Sequence, residues 1–539
     1  MTVNAGTITT TGSITFSGTA SRAQFTSTGA STVNVAGNFG SGGTLTTTAT
    51  GTINLNGGAA QTLGAYSTYN NVTINNTSGG VSTTGTTTIG GTLTVNSGTF
   101  TNNNSLTITG VLGGAGSLVQ GSGATLNLAA TPTITTLTAS VNPNTVNYNG
   151  AAETVFPTTY HHLTLSGSGV KTLTGVGTIN GNLSLSGSAS ATTAAAMTIG
   201  GNFSDQGNSF TVAGFDFTVT GTSSLGAAMN FSSSTGTKIF TGLVTLNAAD
   251  WSSSGNSAIT FRGGLSYTSG GGSFSSGSGV YTFDTNNQAI GGTSSFTITN
   301  ITVTGVTLTN NNTATVTANT TLGGTGSVVQ SGAATLRING TSTIASLDAS
   351  ASGNTVNYNG AAQTVIPTTY HHLTLSGSGT KTVTGVSTIN GDFTTSGTVS
   401  ATAPGALAIG GSVVLGSGTT FNASTYSHTV GGNWTNNGAT FTASTSTITL
   451  NGTAAQTLGG TASSAFNNLT ISNTSAMVSA TANFSTAGTL TVNASAVLSP
   501  SSAVVVSGAG TLTGSGTIQV TRATGTTDFS GQYSITTIT

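Results

Sequence analysis

Two pairs of adjacent histidines are the residues of this sequence most suggestive of metal chemistry. They are His161-His162 and His371-His372, and imidazole nitrogens are common ligands of zinc and other transition metals. In a strand, however, neighbouring side chains point to opposite faces, so one pair cannot hold an ion between its two rings. Weaker copies of the same segment carry two asparagines there, which favours a polar stacking role. We therefore predict no metal site.

The eight acidic residues are the other candidates for chemistry, as general acids, bases or carboxylate pairs. A glycosidase-type pair must stand about 5–10 Å apart, whereas these residues are widely scattered along the chain. They are Glu153, Asp205, Asp216, Asp250, Asp284, Asp348, Asp392 and Asp528. Stacking could bring Asp205 near Asp216, but Glu153 occupies a position that holds glutamine in related segments, which favours a structural role. We predict no catalytic residue and no cofactor.

Four aromatic residues suggest a different activity, the binding of glycans by rings that stack on sugar faces. Tyr and Trp combine a large apolar ring with a polar group, so they suit such surfaces when they are exposed. The candidate platforms are Trp251, Trp434, Tyr160 and Tyr370.

The composition excludes several classes of partner. The 539 residues include 80 glycines but only 7 Lys+Arg and 8 Asp+Glu, a net charge of −1, so 3% of the chain is charged. A typical soluble domain is about 25% charged. Seven dispersed cations cannot form the basic footprint that nucleic acid or anionic lipid requires. No run of about 18 apolar residues exists that could form a transmembrane helix, so we predict no membrane insertion.

Short strands must position all of these side chains. Apolar and polar residues alternate along 52–55, 163–165 and 446–450, with many β-branched residues and with Gly-Ser, Asn-Gly and Gly-Gly turns between the runs. This period of two indicates strands, and no window keeps a helical period. The sequence predicts an all-β protein.

An internal duplication organises the chain. Residues 141–180 align with 351–390 at an offset of 210, with 32 of 40 positions identical, inside a broader duplication of 111–190 with 321–400. Weaker copies keep an Asn-Gly corner followed by a glutamine. We predict that these amides form corners or ladders between stacked coils, as amides do in cross-β assemblies. The positions are Asn56, Gln61, Asn149, Asn359, Gln363, Asn451 and Gln456.

A second signal sets the size of one coil. A glycine, usually a small polar residue and an apolar residue recur at Gly181, Gly201, Gly391, Gly411 and Gly432, at local spacings of 20 or 21 residues. A coil of that size cannot bury its apolar face alone, so neighbouring coils must share a core. We predict a parallel β-helix (β-solenoid) with coils of about 20 residues, continuous over 1–539.

These repeats resemble the β-strand-repeat regions of large bacterial surface and secreted proteins. The similarity is to relatives of filamentous haemagglutinin and of autotransporter passengers. It lies in the NYNGAAQTV and YHHLTLSGSGTKT segments and in coils such as GGTLTVNSGTF. The resemblance implies a right-handed helix, secretion and a place outside the cell or on its surface. Members serve as stalks, adhesins and matrix fibres, so it implies no single activity.

We expect a structural protein that forms a fibre, stalk or matrix filament. Uncapped solenoid ends expose strand edges that recruit other strands, so its partners would be further copies, joined head to tail. Both ends of the sequence lie within the repeat pattern, and a segment of a longer chain is an equal alternative. The second functional hypothesis is an adhesin whose solenoid face binds surface glycans.

Overall fold

The computed structural model describes most of the chain and divides it into two compact units. The units are Met1–Gly279 and Val280–Thr539. The described residues are 2–3, 5–16, 24–27, 29–40, 42–47, 50–521 and 529–538.

The first unit consists of short strands joined by tight corners. Its strands are Thr2–Val3, Gly6–Thr10, Gln24–Ser27, Ser31–Val35, Thr44–Thr47, Thr52–Leu55, Gln61–Leu63, Asn71–Asn75, Val81–Thr83, Thr87–Ile89, Leu93–Ser97, Thr99–Asn102, Ser105–Ile108, Leu112–Gln120, Thr125–Leu128, Thr133–Thr138, Thr145–Tyr148, Glu153–Thr154, His162–Leu165, Ser168–Thr172, Thr178–Ile179, Leu183–Leu185, Ser188–Thr192, Met197–Ile199, Phe203–Asp205, Ser209–Val212, Phe217–Val219, Ser223–Leu225, Ala228–Phe231, Lys238–Phe240, Val244–Asn247, Trp251–Ser252, Ile259–Phe261, Leu265–Thr268 and Phe274–Ser275.

The second unit has the same construction, with one four-residue helical turn, Phe529–Gln532, near its end. Its strands are Val280–Phe283, Gln288–Gly292, Phe296–Val303, Thr307–Asn310, Thr315–Gln330, Thr335–Ile338, Thr341–Asp348, Thr355–Tyr358, Gln363–Thr364, His372–Leu375, Ser378–Thr382, Thr388–Ile389, Phe393–Thr395, Thr398–Thr402, Ala408–Ile409, Val413–Leu415, Thr420–Asn422, Ser427–Val430, Trp434–Asn436, Thr440–Thr442, Thr447–Leu450, Gln456–Gly459, Ser464–Phe466, Asn468–Ile471, Val478–Ala480, Phe484–Thr486, Thr489–Val492, Val497–Pro500, Val506–Thr513, Thr517–Ile518 and Tyr533–Ile538.

Within each unit, the described strands pair in parallel with strands of the neighbouring coils. One complete coil contains the strands Leu183–Leu185, Ser188–Thr192 and Met197–Ile199, and the next coil starts at Phe203. Leu163 lies opposite Leu183, which lies opposite Phe203, so one coil takes 20 residues here. The predicted all-β, parallel β-solenoid fold with coils of about 20 residues is confirmed. Its right-handedness stays a prediction.

The core follows directly from strand alternation. In the strand Thr447–Leu450, for example, Ile448 and Leu450 are buried while the two threonines are partly exposed. Because strands of adjacent coils stay in register, apolar residues form continuous columns along the interior. In the described part of the chain, no helix reaches the length and apolarity that a membrane span needs.

Candidate functional site

Four equivalent corners place a glutamine, or in one case a glutamate, inside the solenoid. Gln61, Gln363, Gln456 and Glu153 are all buried. Gln456 accepts a hydrogen bond from the backbone N–H of Gly452 (2.9 Å) and donates from Nε2 to Val430 O of the preceding coil (2.9 Å). Each corner glutamine therefore links its own turn to the neighbouring coil.

The asparagines of these corners behave differently from the glutamines. Asn359 lies in a true ladder, in which its Nδ2 donates to Asn339 Oδ1 (3.2 Å) and Asn339 donates in turn to Asn319 (3.0 Å). Asn56, Asn149 and Asn451 are exposed, and each reaches the preceding coil through its backbone N–H. The ladder prediction therefore fits Asn359, whereas the other three are corner residues.

A longer amide ladder, which the sequence pattern did not single out, lies near the start of the chain. Asn96, Asn75, Asn54 and Asn34 each donate from Nδ2 to the residue one coil earlier, and the ladder ends at Thr9 Oγ1. The 20- or 21-residue spacing of Asn34, Asn54, Asn75 and Asn96 could have revealed it.

The recurring Gly-polar-apolar signal marks a second column of polar side chains. Asp392 Oδ1 accepts from the backbone N–H of Ser412 (2.7 Å), and Ser412 Oγ accepts from the N–H of Asn433 (3.0 Å). Each polar side chain thus covers the glycine of the next coil. A Cβ at Gly411 would lie 2.5 Å from Asp392 Oδ1 and 2.5 Å from the carbonyl carbon of Gly391. The glycine is therefore required by the close approach of the preceding coil.

We expect Gly411→Ala to destabilise the second unit by about 1–3 kcal/mol, because backbone atoms of the preceding coil must move to admit the methyl group. Urea unfolding followed by circular dichroism measures the change. The matched control is Gly405→Ala, six residues away, where a Cβ would meet nothing within 4 Å. Equal stability of the two variants would contradict this account of the glycine signal.

Two lysines complete the duplicated corners, and the sequence pattern did not identify them as site residues. Lys171 Nζ lies 2.5 Å from Glu153 Oε2, and Lys381 Nζ lies 2.6 Å from Gln363 Oε1. Both lysines are buried and also donate to the carbonyls of the facing turn, Lys381 to Gly360 O (2.7 Å) and Ala361 O (2.8 Å). Burial lowers the pKa of Lys381 to about 8. The sequence could have indicated these residues, because both copies of the duplicated segment carry a lysine at the same position and the chain has only three lysines.

The four aromatic rings proposed for glycan binding lie in the core. Trp251, Tyr160 and Tyr370 are 0% exposed and Trp434 is 1% exposed. This corrects the prediction that they are stacking platforms, because a sugar cannot reach a ring packed between coils.

The buried tyrosine hydroxyls instead form hydrogen bonds that stabilise the corner. Tyr160 donates to Phe156 O (2.6 Å) and lies 2.9 Å from Tyr148 Oη. Tyr370 and Tyr358 repeat this arrangement. Burial raises the pKa of both Tyr148 and Tyr358 to about 12.

The histidine pairs do not point to opposite faces as expected. The rings of His161 and His162 meet edge to face with centroids 4.3 Å apart, and those of His371 and His372 do the same at 4.2 Å. The reason is that each strand begins at the second histidine, so the first belongs to the preceding bend. The fifth histidine, His428, is buried and hydrogen-bonded through both ring nitrogens.

The acidic residues differ in their surroundings. Asp205 is buried and Asp216 is exposed, and Asp216 accepts from the backbone N–H of Thr237 (2.7 Å). Within the described ranges, no group of three His, Cys, Asp or Glu residues could hold a metal. Asp528 lies outside the described residues.

Comparisons with known proteins returned no similar protein. The chain matches no protein-family model, no curated protein and no solved structure.

Proposed function

We propose that this chain is a structural protein of the cell surface or extracellular matrix, which forms a fibre or stalk by end-to-end stacking of copies. The observation that carries the proposal is a long column of small uncharged side chains on the outer face. In the first unit this column runs through Thr107, Asn127, Asn147, Thr164, Ser184, Ser204, Ser224, Thr245 and Ser266.

Because the side chains of this column are uncharged, one coil can stack on any other without electrostatic repulsion. Parallel strands stack about 4.8 Å apart, and charges repeated at that distance would repel one another. The second unit has an equivalent column of uncharged side chains, formed by Thr429, Thr449, Thr470, Thr491 and Thr513. The placement outside the cell rests on the resemblance to bacterial surface repeats.

The buried charges strengthen this argument. Among the charged residues that the structure describes, Glu153, Lys171, Asp205, Lys238 and Lys381 are buried, which leaves few charges on the described surface. A surface of this kind does not repel a second copy of itself.

Electron microscopy of the purified chain at neutral pH and micromolar concentration tests the proposal. We expect filaments of uniform width whose length grows with protein concentration. Separate particles of one size at every concentration would overturn end-to-end stacking.

Two lysine variants identify the surface that polymerises. Thr537 lies on the strand Tyr533–Ile538, which pairs with Val506–Thr513, and Thr470 lies within the solenoid between two paired coils. A lysine on an edge strand opposes further pairing. Thr537→Lys should therefore shorten the filaments, and Thr470→Lys, the matched control, should leave their length unchanged.

A further inference from the structure

The two corners that contain a buried lysine share one arrangement of side chains. In each corner the lysine and its partner lie directly opposite one another on adjacent parallel strands, Glu153 opposite Lys171 and Gln363 opposite Lys381. All four side chains are buried. An amine is thus held against a carboxyl or carboxamide group in a site from which water is excluded.

We propose that Lys171 is joined to Glu153, and Lys381 to Gln363, by side-chain amide bonds that form spontaneously in the folded solenoid. These bonds would be covalent staples between successive coils. The proposal is independent of whether copies of the chain assemble into fibres.

The electrophile in each corner is already polarised. The backbone N–H of Gly150 donates to Glu153 Oε2 (2.9 Å), and that of Gly360 donates to Gln363 Oε1 (2.7 Å). A fixed donor on the carbonyl oxygen stabilises the negative charge that develops there when a nucleophile attacks the carbon. The corner glycine N–H therefore serves as a one-donor oxyanion site.

The nucleophile is favoured by its surroundings. A neutral amine is the reactive form of lysine, and burial increases its share because it disfavours the charged form. The pKa of Lys381 is lowered to about 8 by burial. At the other corner, Lys171 Nζ lies 2.5 Å from Glu153 Oε2, close enough to pass a proton to the carboxyl group during the reaction.

Both reactions balance without any further reagent. At the first corner, Lys171 Nζ bonds to the Glu153 carboxyl carbon, a carbon–oxygen bond breaks, and the oxygen leaves as water with the two protons that the amine gives up. At the second, the Gln363 carbon–nitrogen bond breaks, and Nε2 leaves as ammonia with a proton taken from Lys381. Holding the groups together supplies an effective concentration far above that of free reactants.

The surroundings of each corner also favour the loss of the leaving group. Gln363 Nε2 donates to Ile338 O (2.9 Å) and Gly340 O (2.8 Å), and the same carbonyls would accept hydrogen bonds from the departing ammonia. Glu153 Oε1 is buried with no hydrogen-bond partner, which is costly. Its loss as water removes that cost.

Three other sites in the chain serve as internal controls. Lys238 is buried but donates to the backbone carbonyls of Thr235 and Gly236, which are not displaced by amines. At the remaining corners, Gln61 and Gln456 receive a hydrogen bond from the amide of an asparagine, Asn76 (3.0 Å) or Asn473 (3.1 Å), instead of a lysine. An amide nitrogen is not nucleophilic, so no bond is expected there.

Digestion of the denatured full-length chain with a lysine-specific protease tests the proposal. The chain has three lysines, and an acylated lysine is not cleaved. We expect cleavage after Lys238 only, and an intact mass below that of the sequence by one water and one ammonia. Cleavage after Lys171 without the loss of one water overturns the proposal for the first corner, and cleavage after Lys381 without the loss of one ammonia overturns it for the second.

A substitution at the first corner separates the bond from a simple ion pair. Glu153→Gln changes the leaving group to ammonia but yields the same final amide, so the variant and the original chain should have identical intact masses. Unequal masses, differing as glutamine differs from glutamate, would show that no bond forms. Lys171→Met provides the unlinked reference, and its expected mass deficit is a single ammonia from the second corner.

Discussion

Replacing Trp251 by alanine is expected to lower the local stability of the first unit by about 3–5 kcal/mol, because the substitution leaves a large cavity in the core. Trp251 packs between Phe231 (ring centroids 4.7 Å apart) and Phe274 (5.9 Å, nearly parallel). Its ring is also close to Phe240 and Phe261. Loss of the indole therefore removes contacts on several coils at once.

Hydrogen exchange of the backbone amides is the appropriate measurement, since stacked repeats unfold locally and are coupled mainly to their neighbours. We expect faster exchange in the strands Ala228–Phe231 and Phe274–Ser275, and unchanged exchange in coils many repeats away. The control is Phe215→Ala, which truncates an aromatic side chain that is 41% exposed and should change exchange little. Equal effects of the two variants would contradict the core role of Trp251.

Replacing Asp205 by asparagine is expected to stabilise the same unit by about 2–3 kcal/mol at pH 7. Asp205 lies opposite Leu185 and Leu225 in an otherwise apolar column, and its Oδ2 has no hydrogen-bond partner. Burial raises the pKa of this carboxyl from 3.8 to about 6. Each unit of pKa shift corresponds to about 1.4 kcal/mol.

The sign of the pH dependence follows from proton linkage. Between pH 4 and 6 the folded state holds the Asp205 proton more tightly than the unfolded state, so this residue weakens the fold as the pH rises through that window. Thermal unfolding at pH 4 and pH 7 should show a gain for Asp205→Asn at pH 7 that disappears near pH 4.

Asp216→Asn is the matched control and should behave in the opposite sense. Hydrogen bonds from Thr237 lower the pKa of the exposed Asp216 carboxyl, so its contribution is present at neutral pH and is lost as the pH falls. A gain in stability for Asp216→Asn at pH 7 would contradict the assignment of these two carboxyls.

The arrangement of the polar columns shows where sequence spacing is insufficient. Thr429, Thr449, Thr470, Thr491 and Thr513 are separated by 20, 21, 21 and 22 residues, a spacing that looks irregular in the sequence. In the structure they lie directly opposite one another. The corners absorb the additional residues, because loop length varies freely while strand pairing keeps its register.

The orientation of the aromatic residues could not be predicted for a related reason. A sequence period of two residues indicates that alternate residues share a face of the strand. It does not indicate which face is inside when both sets of residues are weakly apolar. Trp434 and Asn436 both point inward from a three-residue strand. The hydrogen bond from Trp434 Nε1 to Ser464 Oγ (3.1 Å) joins residues 30 positions apart, which no local pattern could reveal.

The sequence by itself determined the class of fold, the length of the coil and the glutamine corners. All three depend on local alternation or on repeats that can be read along one chain. Only the tertiary structure decided that Lys171 faces Glu153, that Lys381 faces Gln363 and that Trp251 is covered on all sides. Those contacts join residues on neighbouring coils, so they depend on register, and register is a property of stacked strands together and not of any single strand.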